Sequence, residues 1–123
     1  MRRRNLVTTV GLLAAVAVAA VPVGGAATTM SSTPVKVTVT MTDFKFKLST
    51  LKVPVGKAVK FTVINKGPSP HDFDVTGTKG TPVILKGKTV VQNVTFKKKG
   101  SFRFVCTVPR HAQFGMVGNL KVS

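Results

Sequence analysis

Apolar and polar residues alternate with a period of two along several short segments of this chain. Such alternation is typical of β-strands that have one face in a core and the other in solvent. The alternating segments are 35–41, 44–48 and 59–64, and further candidate strands lie at 73–75, 89–96, 101–106 and 118–122. Clusters of glycine, proline and asparagine separate them, for example at 65–70. The pattern predicts an all-β protein, a β-sandwich of seven or eight strands.

The aromatic residues agree with a small core. The chain has eight phenylalanines and neither tyrosine nor tryptophan. We expect four of them to be core residues, namely Phe61, Phe96, Phe102 and Phe104. Aromatic side chains on a sheet also stack on nucleic-acid bases, but their period-two spacing favours packing in a core.

The N-terminal segment has the order of charge and hydropathy that is typical of a secretory signal peptide. Arginines at 2–4 precede an uncharged apolar run at 6–23, and small residues follow at 24–27. The apolar core at 10–21 is short for a membrane span, which needs about 20 residues. We therefore expect a cleaved leader over residues 1–27 and export to the periplasm or the cell exterior; an uncleaved membrane anchor is the alternative.

The rest of the chain has the length of one domain. Residues 28–34 are small and polar, which predicts a flexible connector. Residues 35–123 are enough for one hydrophobic core and too few for two. We expect a monomer with a single domain after the connector.

The chain is strongly cationic, with a net charge of +16 and only three acidic residues, all aspartates. Such a field speeds encounters with acidic redox proteins or with an anionic membrane surface. Nucleic acid is a weaker alternative, because the lysines alternate singly with apolar residues and the leader predicts export. A solvated sheet face explains the lysines equally well.

The candidate chemistry lies near the C-terminus, where Cys106, His111 and Met116 share one short loop. The only other histidine, His71, lies upstream in a turn-rich segment. One thiolate, two imidazoles and a weak thioether are the donors of a blue-copper electron-transfer site. Cys106 is the only cysteine, so no internal disulfide can form, and metal ligation explains it. Zinc is the rival ion, but thioether is not among its usual ligands.

Loop residues allow these donors to converge. Five extended residues span about 17 Å, so Cys106 and His111 reach one ion only if the chain turns back, which Pro109 favours. We expect Gly115 to let the backbone come close beside Met116. Two prolines and a glycine restrict the loop before His71, which predicts a preorganised site.

At these residues the chain resembles the cupredoxins, the family of small blue-copper proteins. Two segments carry the resemblance: residues 65–72, with the sequence NKGPSPHD, and residues 100–122, with the sequence GSFRFVCTVPRHAQFGMVGNLKV. The resemblance implies a Greek-key sandwich, one copper ion and one-electron transfer. It also implies that His71, Cys106 and His111 form a trigonal plane and that Met116 is the axial ligand.

One position departs from the family pattern, since the family commonly has asparagine after its first histidine ligand and this chain has Asp72. We expect Asp72 to brace the two ligand loops only as a hydrogen-bond acceptor. Its charge should favour Cu(II) and lower the reduction potential.

The predicted function is that of an exported electron carrier with no small-molecule substrate. Four protein ligands leave no open metal position, so the protein is not expected to be an enzyme. Copper storage or delivery would use the same ligands. A basic accessory module that docks on an oxidase or on an anionic surface is the third hypothesis.

Overall fold

The computed structural model describes residues 33–123 and the single residue Ala17. Eight strands make up the regular structure of residues 33–123, which confirms the predicted all-β architecture. They are β1 (Val35–Thr42), β2 (Lys45–Leu48), β3 (Lys52–Val53), β4 (Ala58–Asn65), β5 (Asp74–Val75), β6 (Thr89–Thr95), β7 (Gly100–Val105) and β8 (Val117–Val122). In the described part of the chain, no helix has the length and hydrophobicity needed to cross a membrane. The predicted leader, apart from Ala17, and residues 28–32 of the connector lie outside the described residues.

The strands form a sandwich of two four-stranded sheets. One sheet has the order β2-β1-β4-β6 and the other has the order β3-β8-β7-β5. Every connection from β2 to β7 crosses between the sheets, so neighbouring strands come from distant parts of the sequence. Two pairs, β1 with β4 and β3 with β8, are parallel, and the other pairs are antiparallel.

The core lies between the inner faces, where alternate residues of each strand are buried. Of the phenylalanines predicted to be core residues, Phe61, Phe96 and Phe104 are at most 4% exposed. The expectation for Phe102 was too strong. It is only partly buried because it lies near the beginning of β7, at the edge of the core, where it packs on Phe96. Phe73 belongs to the core instead, with its ring 5.3 Å from that of Phe61.

Strand register brings the predicted ligand segments to one end of the sandwich. β5 pairs with β7 so that Asp74 faces Val105, which places the residues before Asp74 beside those after Val105. β8 pairs with β7 so that Val117 also faces Val105, which places Met116 beside Cys106. These two registers alone bring three separate parts of the sequence together.

The first sheet ends at the same place. β1 and β4 run parallel, with Met41 beside Asn65, so the turn after β1 and the loop after β4 leave the sheet side by side. That loop leads to His71, which forms an isolated bridge with Ile84. Both sheets therefore contribute residues to this end of the sandwich.

Candidate metal centre

Three of the predicted metal-binding side chains meet at this end of the sandwich. His71 Nδ1 lies 3.0 Å from His111 Nδ1. Cys106 Sγ lies 3.9 Å from His71 Nδ1 and 3.6 Å from His111 Nδ1. His71 and Cys106 are buried, whereas His111 is partly exposed. One thiol and two imidazole nitrogens thus converge from two loops.

The triangle of donor atoms has the size that one metal ion requires. A trigonal ion about 2.05 Å from each nitrogen and about 2.3 Å from sulfur would separate the nitrogens by about 3.6 Å and each nitrogen from sulfur by about 3.8 Å. The observed sulfur–nitrogen distances of 3.6 and 3.9 Å agree with this geometry. The nitrogen–nitrogen edge of 3.0 Å would widen by roughly half an ångström. A thiolate with two imidazoles and a nearby thioether favours copper, so the residues fit a copper ion.

The loop before His71 is held by the buried side chain of Asn65. Asn65 Nδ2 donates hydrogen bonds to the carbonyl oxygens of Ser69, at 2.8 Å, and Ile84, at 2.7 Å. Asn65 Oδ1 accepts a hydrogen bond from the Gly67 N–H at 2.9 Å. Main-chain hydrogen bonds between His71 and Ile84 continue this network. The side chain of Asn65, the last residue of β4, therefore fixes the conformation of the loop before His71, in addition to the prolines and the glycine of that loop.

The outer nitrogen of His71 contacts Asp43, in the turn between β1 and β2. The distance from His71 Nε2 to Asp43 Oδ1 is 2.7 Å. Ser69 Oγ donates to the other carboxylate oxygen at 2.8 Å, and the Ser69 N–H donates to Oδ1 at 3.3 Å. Desolvation raises the pKa of Asp43, but the hydrogen bonds from Ser69 and His71 outweigh it and leave that pKa below its ordinary value. Asp43 is therefore ionised at neutral pH.

Asp72 connects the two ligand loops, as predicted, by accepting hydrogen bonds. One carboxylate oxygen accepts from the Thr107 N–H at 2.6 Å, and the other accepts from the Thr107 hydroxyl. Burial raises the pKa of the Cys106 thiol, and hydrogen bonds from the backbone of Asp72 and Val108 offset part of that effect. Metal binding at this buried sulfur must therefore displace a proton.

A tight turn carries the chain from Cys106 back to Met116. The His111 N–H donates to the Val108 carbonyl, and the Met116 N–H donates to the His111 carbonyl, each at 3.1 Å. The Cys106 N–H donates to the Met116 carbonyl at 3.1 Å, which closes the loop. The Met116 side chain is fully buried. The predicted fourth ligand is thus tied through its backbone to two of the others.

We expected Gly115 to be needed for a close approach of the backbone beside Met116, and that reason is wrong. A Cβ at this position would have no atom within 4 Å, so close backbone approach does not require glycine there. The requirement is conformational, because Gly115 has φ of 101°, a region that residues with a side chain rarely adopt.

Two aromatic rings lie in sequence beside the partly exposed His111, Phe44 against its ring and Phe114 against Phe44. The Phe44 ring lies 4.9 Å from the His111 ring and 4.8 Å from the Phe114 ring. Phe114 is 59% exposed and Val117 is 38% exposed. The partly exposed imidazole therefore has an aromatic neighbour, and exposed apolar side chains occur in the same loop and at the beginning of β8.

Sequence reasoning missed Asp43, Asn65 and Phe44 as parts of the site. Asp43 carried a usable signal, because it is one of three acidic residues in a chain of net charge +16 and lies in the short turn between two predicted strands. Asn65 begins one of the two segments that carry the resemblance, but no role was assigned to it, and Phe44 carried no signal beyond its place in a predicted strand.

Comparisons with known proteins agree with this fold and with copper as the bound metal. The family model of the cupredoxin-like domain matches residues 11–120. Rusticyanin of Acidithiobacillus ferrooxidans is 32% identical, in a match that covers 62% of this chain and 51% of rusticyanin. The copper-resistant cuproprotein CopI of Rubrivivax gelatinosus is 31% identical, with 70% of this chain and 65% of CopI covered. The chain thus spans between about half and two thirds of the length of these relatives.

Solved structures show the same sandwich. Auracyanin B superposes with a TM-score of 0.66 at 18% identity, covering 75% of this chain and 91% of its own. Auracyanin A, a blue copper protein from Chloroflexus aurantiacus, superposes with a TM-score of 0.60 at 17% identity, and the match covers 74% of this chain and 100% of its own. At these identities the likeness concerns the fold alone.

A sandwich of eight strands in residues 33–123, with one cysteine sulfur and two imidazoles converging at one end, defines a copper protein of the blue, type 1 class. The chain belongs to the cupredoxin-like family, whose model matches most of its length.

Proposed function

We propose that this protein is an exported electron carrier in which His71, Cys106, His111 and Met116 hold one type 1 copper ion. The convergence of two imidazole Nδ1 atoms and one thiol sulfur, with no edge longer than 3.9 Å, carries the proposal. When bound, copper supplies a one-electron change between Cu(I) and Cu(II). The side chains of the protein hold the same donor geometry in both states.

Rigidity is the physical contribution of the surrounding residues. Asn65 holds the first ligand loop, and Asp72 joins that loop to Thr107, next to Cys106. These hydrogen bonds exist within the protein itself, so little reorganisation is needed when the charge at the site changes. Low reorganisation is what fast electron exchange requires, and it supports a carrier role.

Electrons would enter and leave through the partly exposed His111. Its apolar surroundings form a patch for brief docking, which we name the docking patch; its residues are Val108, Pro109, Ala112 and Phe114. A small apolar patch on a cationic protein suits a weak encounter with an acidic redox partner. An anionic membrane surface is the other partner that the net charge of +16 favours.

The same proposal covers location and organisation. Residues 1–27 act as a leader, residues 28–34 as a connector, and residues 35–123 as the copper domain, which functions as a monomer. Four protein ligands close the coordination sphere, so we propose no enzymatic activity and no small-molecule substrate. The order of charge and hydropathy at the N-terminus supports export.

The test is copper addition to the purified protein with a visible absorption spectrum. We expect one copper per chain and an intense blue colour, which Cys106→Ala abolishes because the charge-transfer band needs the thiolate. Ser101→Ala is the matched control, because Ser101 is exposed and lies on β7, the strand that ends directly before Cys106. A colourless copper complex, or one that is unchanged in Cys106→Ala, would contradict the proposal.

Copper delivery is a second candidate, because the 31% identical relative CopI is named as a copper-resistant cuproprotein. The two functions differ in kinetics. A carrier exchanges electrons rapidly and retains copper, whereas a delivery protein releases Cu(I) readily to an acceptor. Stopped-flow electron exchange and Cu(I) transfer to a chelator, measured on the same sample, distinguish them.

A further inference from the structure

Asp43 is not one of the proposed copper ligands, but its carboxylate contacts one of them, His71. We propose that Asp43 is a positioning residue that holds the proton of His71 on Nε2 and places a negative charge one imidazole ring away from the copper ion. This inference rests on the proposed function, since it concerns the same site. It predicts a specific tautomer and a lowered reduction potential.

The tautomer follows from the chemistry of the two groups. A carboxylate only accepts hydrogen bonds, and a neutral imidazole has a single N–H. At 2.7 Å from Asp43 Oδ1, His71 Nε2 must be the donor. The lone pair then lies on Nδ1, the nitrogen that faces Cys106 Sγ and His111. A partner of this kind on the outer nitrogen orients a metal-binding histidine and raises its basicity.

Asp43 is itself held in place by the loop that carries His71. Ser69 donates to both carboxylate oxygens, through Oγ at 2.8 Å and through its N–H at 3.3 Å. Gly67 lies so close that an added Cβ would be 2.8 Å from Asp43 Oδ1. The short loop between Asn65 and His71 therefore supplies both the predicted ligand and the groups that fix its carboxylate partner.

The negative charge of Asp43 and the positive charge of the rest of the chain have opposite effects on the reduction potential of the bound copper. The large excess of lysine and arginine over aspartate disfavours the more positive state, Cu(II), relative to Cu(I). A carboxylate hydrogen-bonded to a copper ligand has the opposite effect at short range. His71 is completely buried, and the side chain of Asp43 is only 25% exposed, so water screens this interaction less than a surface pair.

Three variants separate position from charge, and a fourth is the control. Asp43→Asn keeps an oxygen that can accept from Nε2–H but removes the charge. Asp43→Ala removes both, and Ser69→Ala keeps the charge but loosens the carboxylate. Asp74→Asn removes one negative charge from a carboxylate that faces Gly80 instead of an imidazole.

The first readout is nitrogen NMR of the His71 ring in the copper-free protein. We expect the Nε2–H tautomer in the unsubstituted protein and in Asp43→Asn, and a mixture of tautomers in Asp43→Ala. Ser69→Ala should lie between the unsubstituted protein and Asp43→Ala. A pure Nε2–H tautomer in Asp43→Ala would overturn the positioning role, and this measurement does not depend on copper binding.

The second readout compares Cu(II) and Cu(I) affinities, measured with competing chelators. In Asp43→Asn, Cu(II) affinity should fall about tenfold more than Cu(I) affinity, which raises the reduction potential by about 59 mV. In Asp43→Ala, both affinities should fall, by roughly 10- to 100-fold for Cu(II). Equal potentials in Asp43→Asn and Asp74→Asn would overturn the role of the charge. If the unsubstituted protein forms no blue complex, the proposed function fails, whereas the tautomer result still decides the contact.

Discussion

Replacement of Asn65 is expected to cause a large loss of stability, because its side chain joins β4 to the loop that leads to His71. It is fully buried and makes three hydrogen bonds to backbone groups. Asn65→Ala removes all three. The Gly67 N–H then has no partner in a buried position, whereas the Ile84 carbonyl keeps its hydrogen bond from the His71 N–H.

The magnitude follows from these contacts. Three hydrogen bonds at about 1 kcal/mol each, with one of the buried groups left unsatisfied, give a loss of about 3 to 4 kcal/mol in the free energy of unfolding. That is a large part of the roughly 5 to 15 kcal/mol typical of a folded domain. The melting temperature should fall by more than about 10 °C.

The assay is urea and thermal unfolding of the copper-free protein, with Asn93→Ala as the matched control. Asn93 is exposed on β6, so its replacement should change stability by no more than about 0.5 kcal/mol. Copper affinity should also fall in Asn65→Ala, because the freed loop must be ordered again when the ion binds. A stability loss below about 1 kcal/mol would refute this account of the loop.

Two further predictions concern Asp72 and Gly118. Asp72→Asn should raise the reduction potential while leaving the bridge to Thr107 in place, because an amide can accept from the N–H and donate to the hydroxyl. The rise should be below about 59 mV, less than a tenfold change in relative affinity, and a potential that is unchanged or lower in voltammetry would exclude the effect. Gly118→Ala should destabilise the protein by about 1 to 3 kcal/mol or more in urea unfolding, because the added Cβ would overlap the buried ring of Phe104. The added cost should shrink in a Phe104→Leu background, and equal costs in the two backgrounds would contradict the overlap.

Much of the fold could be predicted from local patterns. Seven strands were predicted from period-two alternation and from the clusters of glycine, proline and asparagine between them, and their ends lie within one residue of those observed. The strand that was missed, β3, has only two residues and pairs with β8. Two residues are too few to show a period, and β8, the strand with which β3 pairs, is far away in the sequence.

The metal-binding residues could also be predicted from the sequence. Copper in such sites is bound by cysteine, histidine and methionine, and cysteine and histidine are rare in this chain. One cysteine and two histidines left little choice of ligands, and the structure brings their donor atoms together. The role of Asp72 as an acceptor was predicted from the resemblance, since Asp72 directly follows His71 where the family commonly has asparagine. That Met116 is the axial ligand stays a prediction.

The sequence by itself determined seven of the eight strands, most of the core phenylalanines and the inventory of metal donors, because each depends on neighbouring residues or on composition. Only the tertiary structure decided which residues support the donors. Asp43 lies 28 residues before His71, and Asn65 bonds across 19 residues to Ile84. These contacts arise from the parallel register of β1 and β4 and from crossings between the sheets. Neither leaves a periodic trace in the sequence, because pairing between distant strands depends on the packing of the whole domain.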